Sequence, residues 1–230
     1  MNIYITGDTH CNFERIYEFC KTHNTSRNDI MIILGDVGLN FWLDERDTSL
    51  KESLLDLNIT LFMIHGNHEQ RPNKINTYIQ KKWYGGTVFY EEKYPHLLFA
   101  KDGDIYNLNE KKVMCIGGAY SIDKYYRLKK GYRWYDTEQP SNDIKSYVES
   151  QLSTCHWNID YIFSHCAPLK FEPQDIIIPE AFKLTQDKST EKWLDFIETK
   201  TTYTHWFCGH YHKETSSKDF SILFESIKKL

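Results

Sequence analysis

Three uninterrupted apolar runs dominate the first third of the chain: NIYIT at 2–6, DIMIIL at 29–34 and ITLFMI at 59–64. Between them lie stretches with helical spacing, one through Phe13, Ile16, Tyr17 and Phe19, the other around Leu50, Leu54 and Leu57. The order is β-α-β-α-β. Runs without polar alternation read as strands covered on both faces, and such an order calls for a parallel sheet with right-handed crossovers. Each run ends in a glycine-containing turn, ITGDTH, ILGDVG and MIHGNHE. In open α/β sheets the crevice beyond the carboxyl ends of the strands is where ligands bind.

The middle third reads differently. TVFY, HLLFA, DIYNL and KVMCIGG are short runs separated by Gly, Asn and Asp, which predicts antiparallel strands and a second sheet. A polar and aromatic segment, DKYYRLKKGYRWYDTEQPS, follows, and Pro140-Ser141 predicts a helix start over Ile144, Tyr147, Val148 and Leu152. Then come the strand DYIFSH, a loop punctuated by Pro168, Pro173 and Pro179, a helix near Trp193–Ile197 and the strand THWFCGH. No internal repeat or low-complexity tract interrupts this order.

Composition narrows the function classes. With 40% hydrophobic and 26% charged residues the chain is rich enough to pack a core. Its 28 basic and 32 acidic residues give a formal charge of -4, so binding to long nucleic acid is disfavoured while small anions remain open. Six scattered cysteines without a C-x-x-C pair argue for reduced thiols and a cytoplasmic location over a disulfide framework or a zinc ribbon. No apolar run approaches the ~20 residues of a membrane helix. Nothing marks a seam, so the expectation is a single domain over 1–230, with 123–141 as a substrate-recognition insertion.

The strand ends carry the chemistry. Asp8 and His10, Asp36, Asn67 and His68, His165, and His210 with His212 all follow predicted core strands, beside glycine or at the strand terminus. Singly, each is a turn aspartate or a satisfied histidine, since Asp and Asn favour turns for local reasons. Together they leave that reading unable to explain why so many strands deliver polar groups to one edge of a sheet. A bridging carboxylate, Asp36, can hold two divalent ions at the roughly 3.5–4 Å separation used in two-metal hydrolysis. Mixed nitrogen and oxygen donors favour manganese, with iron, zinc or nickel as alternatives to magnesium or calcium. Two divalent ions less Asp8, Asp36 and a hydroxide leave residual positive charge, which suits a phosphate.

In order, GDTH (7–10), GD (35–36), GNHE (66–69), SH (164–165) and GHYH (209–212) resemble the calcineurin-like metallophosphoesterase superfamily, whose pattern is DxH, GD, GNH[DE], H and GHxH. The resemblance implies an α/β fold, a four-layer α/β/β/α sandwich of two mixed sheets flanked by helices. It implies one metal on Asp8, His10, Asp36 and His212 and another on Asp36, Asn67, His165 and His210. It also implies that His68 contacts the phosphate and assists the leaving group, after in-line attack by a metal-bridging hydroxide. One departure matters. The Ser/Thr protein phosphatase branch continues its second motif as GDxxDRG, whereas GDVGLN puts Leu39 and Asn40 at those positions, which argues against protein phosphatase activity. The missing Asp leaves the partner of His68 open, with Glu69, Asp44 and Glu45 as candidates.

GGAYSIDKYYR (117–127) and RWYDTEQPS (133–141) further resemble a group of small bacterial metallophosphoesterases. Lys124, Arg127, Lys129, Lys130 and Arg133 alternate there with Tyr125, Tyr126, Tyr132 and Trp134. Arginine forks bind phosphate, and aromatic faces stack bases for about 1–3 kcal/mol each, so a nucleotide-like or other small phosphorylated substrate is expected, with Arg127 as phosphate binder. The bland alternative is a surface loop packed on the core. Cys11, Cys166 and Cys208 neighbour the proposed ligands but read as packing residues, and His23, His65, His96, His156 and His205 read as structural. Two further readings compete with a phosphomono- or diesterase: a protein phosphatase, and a noncatalytic scaffold that keeps the fold. The oligomeric state is not written in the motifs.

Overall fold

The computed structural model describes residues 1–175 and 186–230. The elements run β1 (Ile3–Thr6), α1 (Glu14–His23), β2 (Ile30–Ile33), α2 (Glu45–Ser53), β3 (Thr60–Met63), β4 (Ile79–Trp83), β5 (Gly86–Tyr90), β6 (Leu97–Ala100), β7 (Ile105–Leu108) and β8 (Lys111–Ile116). After them come α3 (Lys124–Lys130), α4 (Asn142–Thr154), β9 (Tyr161–Ser164), α5 (Ser189–Lys200), β10 (His205–Cys208), β11 (Thr215–Ser216), β12 (Phe220–Ile222) and β13 (Lys228–Lys229).

Two mixed sheets form, in the orders β13-β1-β2-β3-β6-β5-β4 and β11-β12-β10-β9-β8-β7. In the first, β1, β2, β3 and β6 are parallel. In the second, β8, β9, β10 and β12 are parallel. Side-chain alternation explains why the runs are apolar throughout. Ile30 and Ile32 of β2 point into a core between the sheets, where Val113, Cys115, Phe163 and Phe207 of the other sheet meet them. Met31 and Ile33 point the other way, onto Phe13, Ile16 and Cys20 of the α1 region. The second sheet repeats the scheme, with Met114, Ile162 and Trp206 packed on Val148 and Leu152 of α4 and on Leu194 and Ile197 of α5. The result is four layers, helix, sheet, sheet and helix. Each fully buried aliphatic or aromatic side chain contributes about 1.5–3 kcal/mol, so three such layers of contact hold the strand ends in fixed mutual positions.

Several local expectations hold. Ser141 caps α4, its side chain accepting from the Ile144 backbone N–H at 3.3 Å. The helix expected around Leu50 begins earlier, at Glu45, because Asp44 caps it, and it closes in a 3₁₀ turn over Leu54–Asp56. Other expectations need correction. The four middle runs do pair antiparallel, β5 with β6 and β7 with β8, but they are divided between the sheets: β5 and β6 extend the first, where β6 is parallel to β3, and β7 and β8 open the second, where β8 is parallel to β9. An apolar run tells of burial on both faces and not of its partner. Strand β4, IQKKW, has no such run because it is a sheet edge, where Lys81 and the exposed Lys82 discourage further pairing. The aromatic segment contains a helix, α3, that its charge pattern hid. Pro179 lies outside the described residues. Among the described residues no helix is long and apolar enough to cross a membrane.

Candidate metal centre

Parallel strands of both sheets end at one edge. The turns after β1, β2 and β3 bring Asp8, His10, Asp36, Asn67 and His68, and those after β9 and β10 bring His165, His210 and His212. Backbone hydrogen bonds stitch the turns together, His10 N–H to Asp36 O at 2.8 Å and Gly209 N–H to His165 O at 3.0 Å. The fold makes the carboxylates reachable by keeping the neighbouring backbone bare. A Cβ on Gly66 would stand 2.1 Å from both Asp36 N and Asp36 Oδ1, and one on Gly209 would stand 2.3 Å from Asp8 Oδ1. His10, Asp36, His210 and His212 adopt φ of 44°, 46°, 71° and 48°. Left-handed backbone costs a non-glycine residue about 1–2 kcal/mol, and its concentration on these four donors marks a functional constraint.

Asp36 is central. Its Oδ1 accepts the His68 backbone N–H at 2.8 Å and lies 3.5 Å from His165 Nε2, while Oδ2 lies 4.0 Å from His10 Nε2. Burial opposes its charge, yet His165 and then His68 hold its carboxyl well below the usual range. Asp8 is equally buried. Its Oδ1 accepts the His210 backbone N–H at 2.9 Å, but Oδ2 has no hydrogen-bond partner. That oxygen stands 3.3 Å from His212 Nε2 and 3.7 Å from His10 Nε2, and the two ring nitrogens are 2.8 Å apart.

The second group is more telling. His165 is fully buried, with Nδ1 2.7 Å from the Leu34 carbonyl. A carbonyl only accepts, so Nδ1 carries the proton and donates, which leaves the Nε2 lone pair facing Asn67 Oδ1 at 2.8 Å. The amide is held in this sense because Asn67 Nδ2 donates to Ser121 Oγ at 2.9 Å. A lone pair opposite an amide oxygen and a carboxylate needs a positive charge between them. Without an ion that charge is a proton: burial alone would lower His165, but Asp36 outweighs it and pushes the imidazole up to about 9. His210 beside it is driven well below its ordinary value by burial and then by His165.

Two donor groups therefore fit divalent ions: Asp8, His10 and His212, and Asp36, His165 and His210, with the donor atoms of each within 4.8 Å of one another. The observations that make the residues present suit metal are Asp8 Oδ2, facing the two ring nitrogens of His10 and His212 without a well-formed hydrogen bond, and His165 Nε2, set between Asn67 Oδ1 and Asp36 Oδ1.

His68 lies on the same cleft, its ring edge-on to His10 at 5.6 Å between centroids and 6.5 Å from Phe41. Of the candidates for its partner, Glu69 is committed elsewhere: it is buried and accepts the backbone N–H of Gly38 and of Gly66, both at 3.0 Å, tying the second and third turns together. Burial and then Asp36 push this carboxyl up to about 7. Asp44 caps α2 and pairs with Arg46. Glu45 lies in the first turn of α2. At the positions of the protein phosphatase Asp and Arg, Leu39 is in the core and Asn40 accepts from Tyr78 Oη at 3.0 Å.

Arg127 is not brought into the cluster. It is buried, with Nη1 unpaired 4.0 Å from Asp123, and its guanidinium lies 5.7 Å from the Phe41 ring centroid. Asp123 lines the cleft and Arg127 does not. Tyr125, Tyr126 and Tyr132 are exposed. Sequence reasoning missed Ser121, which fixes Asn67, and Glu138, which receives Ser121 N–H at 3.2 Å and Trp134 Nε1–H at 2.7 Å. Both belong to the quoted GGAYS and RWYDTE stretches, so the signal was present without its role. Cys166 and Cys208 pack in the core, and burial raises both thiols well above their ordinary value. Cys11 departs from the packing expectation: it sits at an exposed position, with Sγ 3.5 Å from Gly38 O, and desolvation raises its thiol to about 11.

Residues 1–214 match the calcineurin-like phosphoesterase family. No curated protein matches the chain. Among solved structures, the phosphopantetheinyl hydrolase PptH from Mycobacterium tuberculosis is similar at 13% identity, over 97% of this chain and 88% of that one, with a TM-score of 0.41.

Proposed function

The chain belongs to the calcineurin-like phosphoesterase family, whose work is divalent-metal-dependent hydrolysis of phosphate esters, and from that premise we propose that it cleaves a small or nucleotide-like phosphate ester at a two-metal centre. Asp8, His10, Asp36 and His212 would hold one ion, and Asp36, Asn67, His165 and His210 the other. The observation that carries this reading is the placement of Asp36, with Oδ2 toward His10 and Oδ1 toward His165. Manganese is favoured for these mixed donors, with iron, zinc or nickel as alternatives.

When bound, such ions supply Lewis-acid neutralisation of phosphoryl charge and an acidified water as nucleophile. The chain's own residues do the rest. Asp36 anchors the His68 backbone, so the ring is placed by the same carboxylate that joins the two donor groups. Asn67, its amide fixed by Ser121, offers its oxygen at a constant orientation. His68 is the group placed to protonate the departing alkoxide or stabilise it. Arg127 acts through Asp123, as positive charge behind the cleft wall rather than as a bidentate fork. A cleft of about 330 Å³ suits a small ester. In this reading 1–230 is one functional unit, with 123–141 as its recognition insertion, and the free cysteines fit a reducing compartment such as the cytoplasm. The buried Leu39 and the committed Asn40 speak against protein phosphatase chemistry.

The test is leaving-group dependence in His68→Ala. A general acid matters most for a poor leaving group, so kcat for an alkyl phosphate should fall by about 10²–10⁴-fold and for p-nitrophenyl phosphate by much less. Equal losses on both esters would remove the proton-donor role. Failure of the manganese-loaded wild type to cleave either p-nitrophenyl phosphate or its bis-ester would favour a noncatalytic scaffold.

A further inference from the structure

A second charged cluster lines the same cleft: Glu172, Lys188 and Glu191. Glu191 stands in the first turn of α5 and is 2% exposed. Its Oε1 lies 3.4 Å from Lys188 Nζ, whereas Oε2 has no hydrogen-bond partner. Lys188 makes its closer bond to Glu172 Oε1. Among the described residues the cluster sets two carboxyl groups, Glu172 and Glu191, against one ammonium, Lys188, and burial raises the Glu191 carboxyl above its ordinary value. Asp123, which also lines the cleft, faces Arg127 at 4.0 Å. A buried carboxyl oxygen without a partner is satisfied either by a proton or by a cationic donor, and on a ligand-sized cleft a bound ammonium can take the proton's place.

We propose that Glu191 is a specificity residue that recognises a cationic nitrogen on the alcohol portion of the substrate, selecting phosphate esters of amine-bearing alcohols over anionic or purely apolar ones. The inference rests on the phosphoesterase reading for the phosphate end and adds the chemistry of the other end. Ile122 and Pro173 add apolar wall to the same cleft, and the acidic side chains of Glu172 and Glu191 disfavour a second phosphate or a carboxylate beside them.

The experiment measures binding, not turnover. Phosphonates that the enzyme cannot cleave are titrated calorimetrically into the metal-loaded protein: a series of ω-aminoalkyl phosphonates of increasing length, each beside the alkyl phosphonate with methyl in place of ammonium. At one length or more the amine should bind about tenfold more tightly, the worth of one charge-assisted hydrogen bond. Glu191→Gln should erase that ratio, and Lys188→Met, which frees Glu191 from its competitor, should keep or increase it. Parity of amine and alkyl at every length, a ratio that survives in Glu191→Gln, or a ratio that falls in Lys188→Met overturns the proposal. Wild-type turnover of p-nitrophenyl phosphate, measured in parallel, reports on the phosphoesterase reading alone, because that ester has no amine.

Discussion

Asp36→Asn is expected to lower kcat by about a thousand-fold or more while leaving the fold intact. The amide keeps an oxygen for the His68 backbone N–H, now accepted by Asp36 Oδ1 at 2.8 Å, so the third turn has no reason to move. What changes is charge and donor sense. An NH₂ group takes the place of the oxygen 4.0 Å from His10 Nε2, and a donor there repels a cation that the carboxylate would share. Losing a shared metal ligand removes several kcal/mol of transition-state stabilisation, and each 1.36 kcal/mol is a factor of ten in rate. Circular dichroism should be unchanged while kcat collapses. Retention of full activity with an intact metal complement would contradict the proposed role of this carboxylate.

Gly66→Ala should damage stability and activity together. The added Cβ would meet Asp36 N and Oδ1 at 2.1 Å; the first is backbone, and the second is held by burial and by the His68 N–H. The turn must shift, and with it go the 2.8 Å bond from His68 N–H to Asp36 and the 3.0 Å bond from Gly66 N–H to Glu69. Overpacking of this kind costs about 1–3 kcal/mol of stability, and a displacement of about 1 Å at a catalytic group costs on the order of 10²-fold in rate. Thermal unfolding and kcat should fall together. A variant with lowered stability and unaltered kcat would show that the third turn does not set the geometry of the site.

Much of this was legible before any coordinates. The run IMII is apolar at every position because Ile30 and Ile32 enter the core between the sheets while Met31 and Ile33 enter the one under α1. The strand ends were legible for a related reason: a glycine next to a donor side chain is what close approach of backbone to Asp36 or Asp8 requires. Strand partners were not, since β6 is as buried as β3 and its run says nothing of which sheet it joins. Edge strand β4 is hidden because Gln80, Lys81 and Lys82 interrupt its apolar pattern. At the site, long-range hydrogen bonds were the hidden part. Asn67 to Ser121 spans 54 positions and Gly38 to Glu69 spans 31, and no local pattern announces either. Arg127 has the chemistry of a phosphate binder, and its burial behind the cleft-lining Asp123 is a matter of packing that chemistry alone does not fix. Glu191 is not legible in the sequence because a glutamate in the first turn of a helix is ordinary until its burial and its unpaired oxygen are seen.

The centre itself is tested most directly by counting ions. Wild-type protein stripped with chelator and titrated with manganese should take up two equivalents per chain, with Asp36→Asn taking up one or none. Saturation of the wild type at a single equivalent, with Asp36→Asn binding the same amount, would contradict a centre built on a shared Asp36.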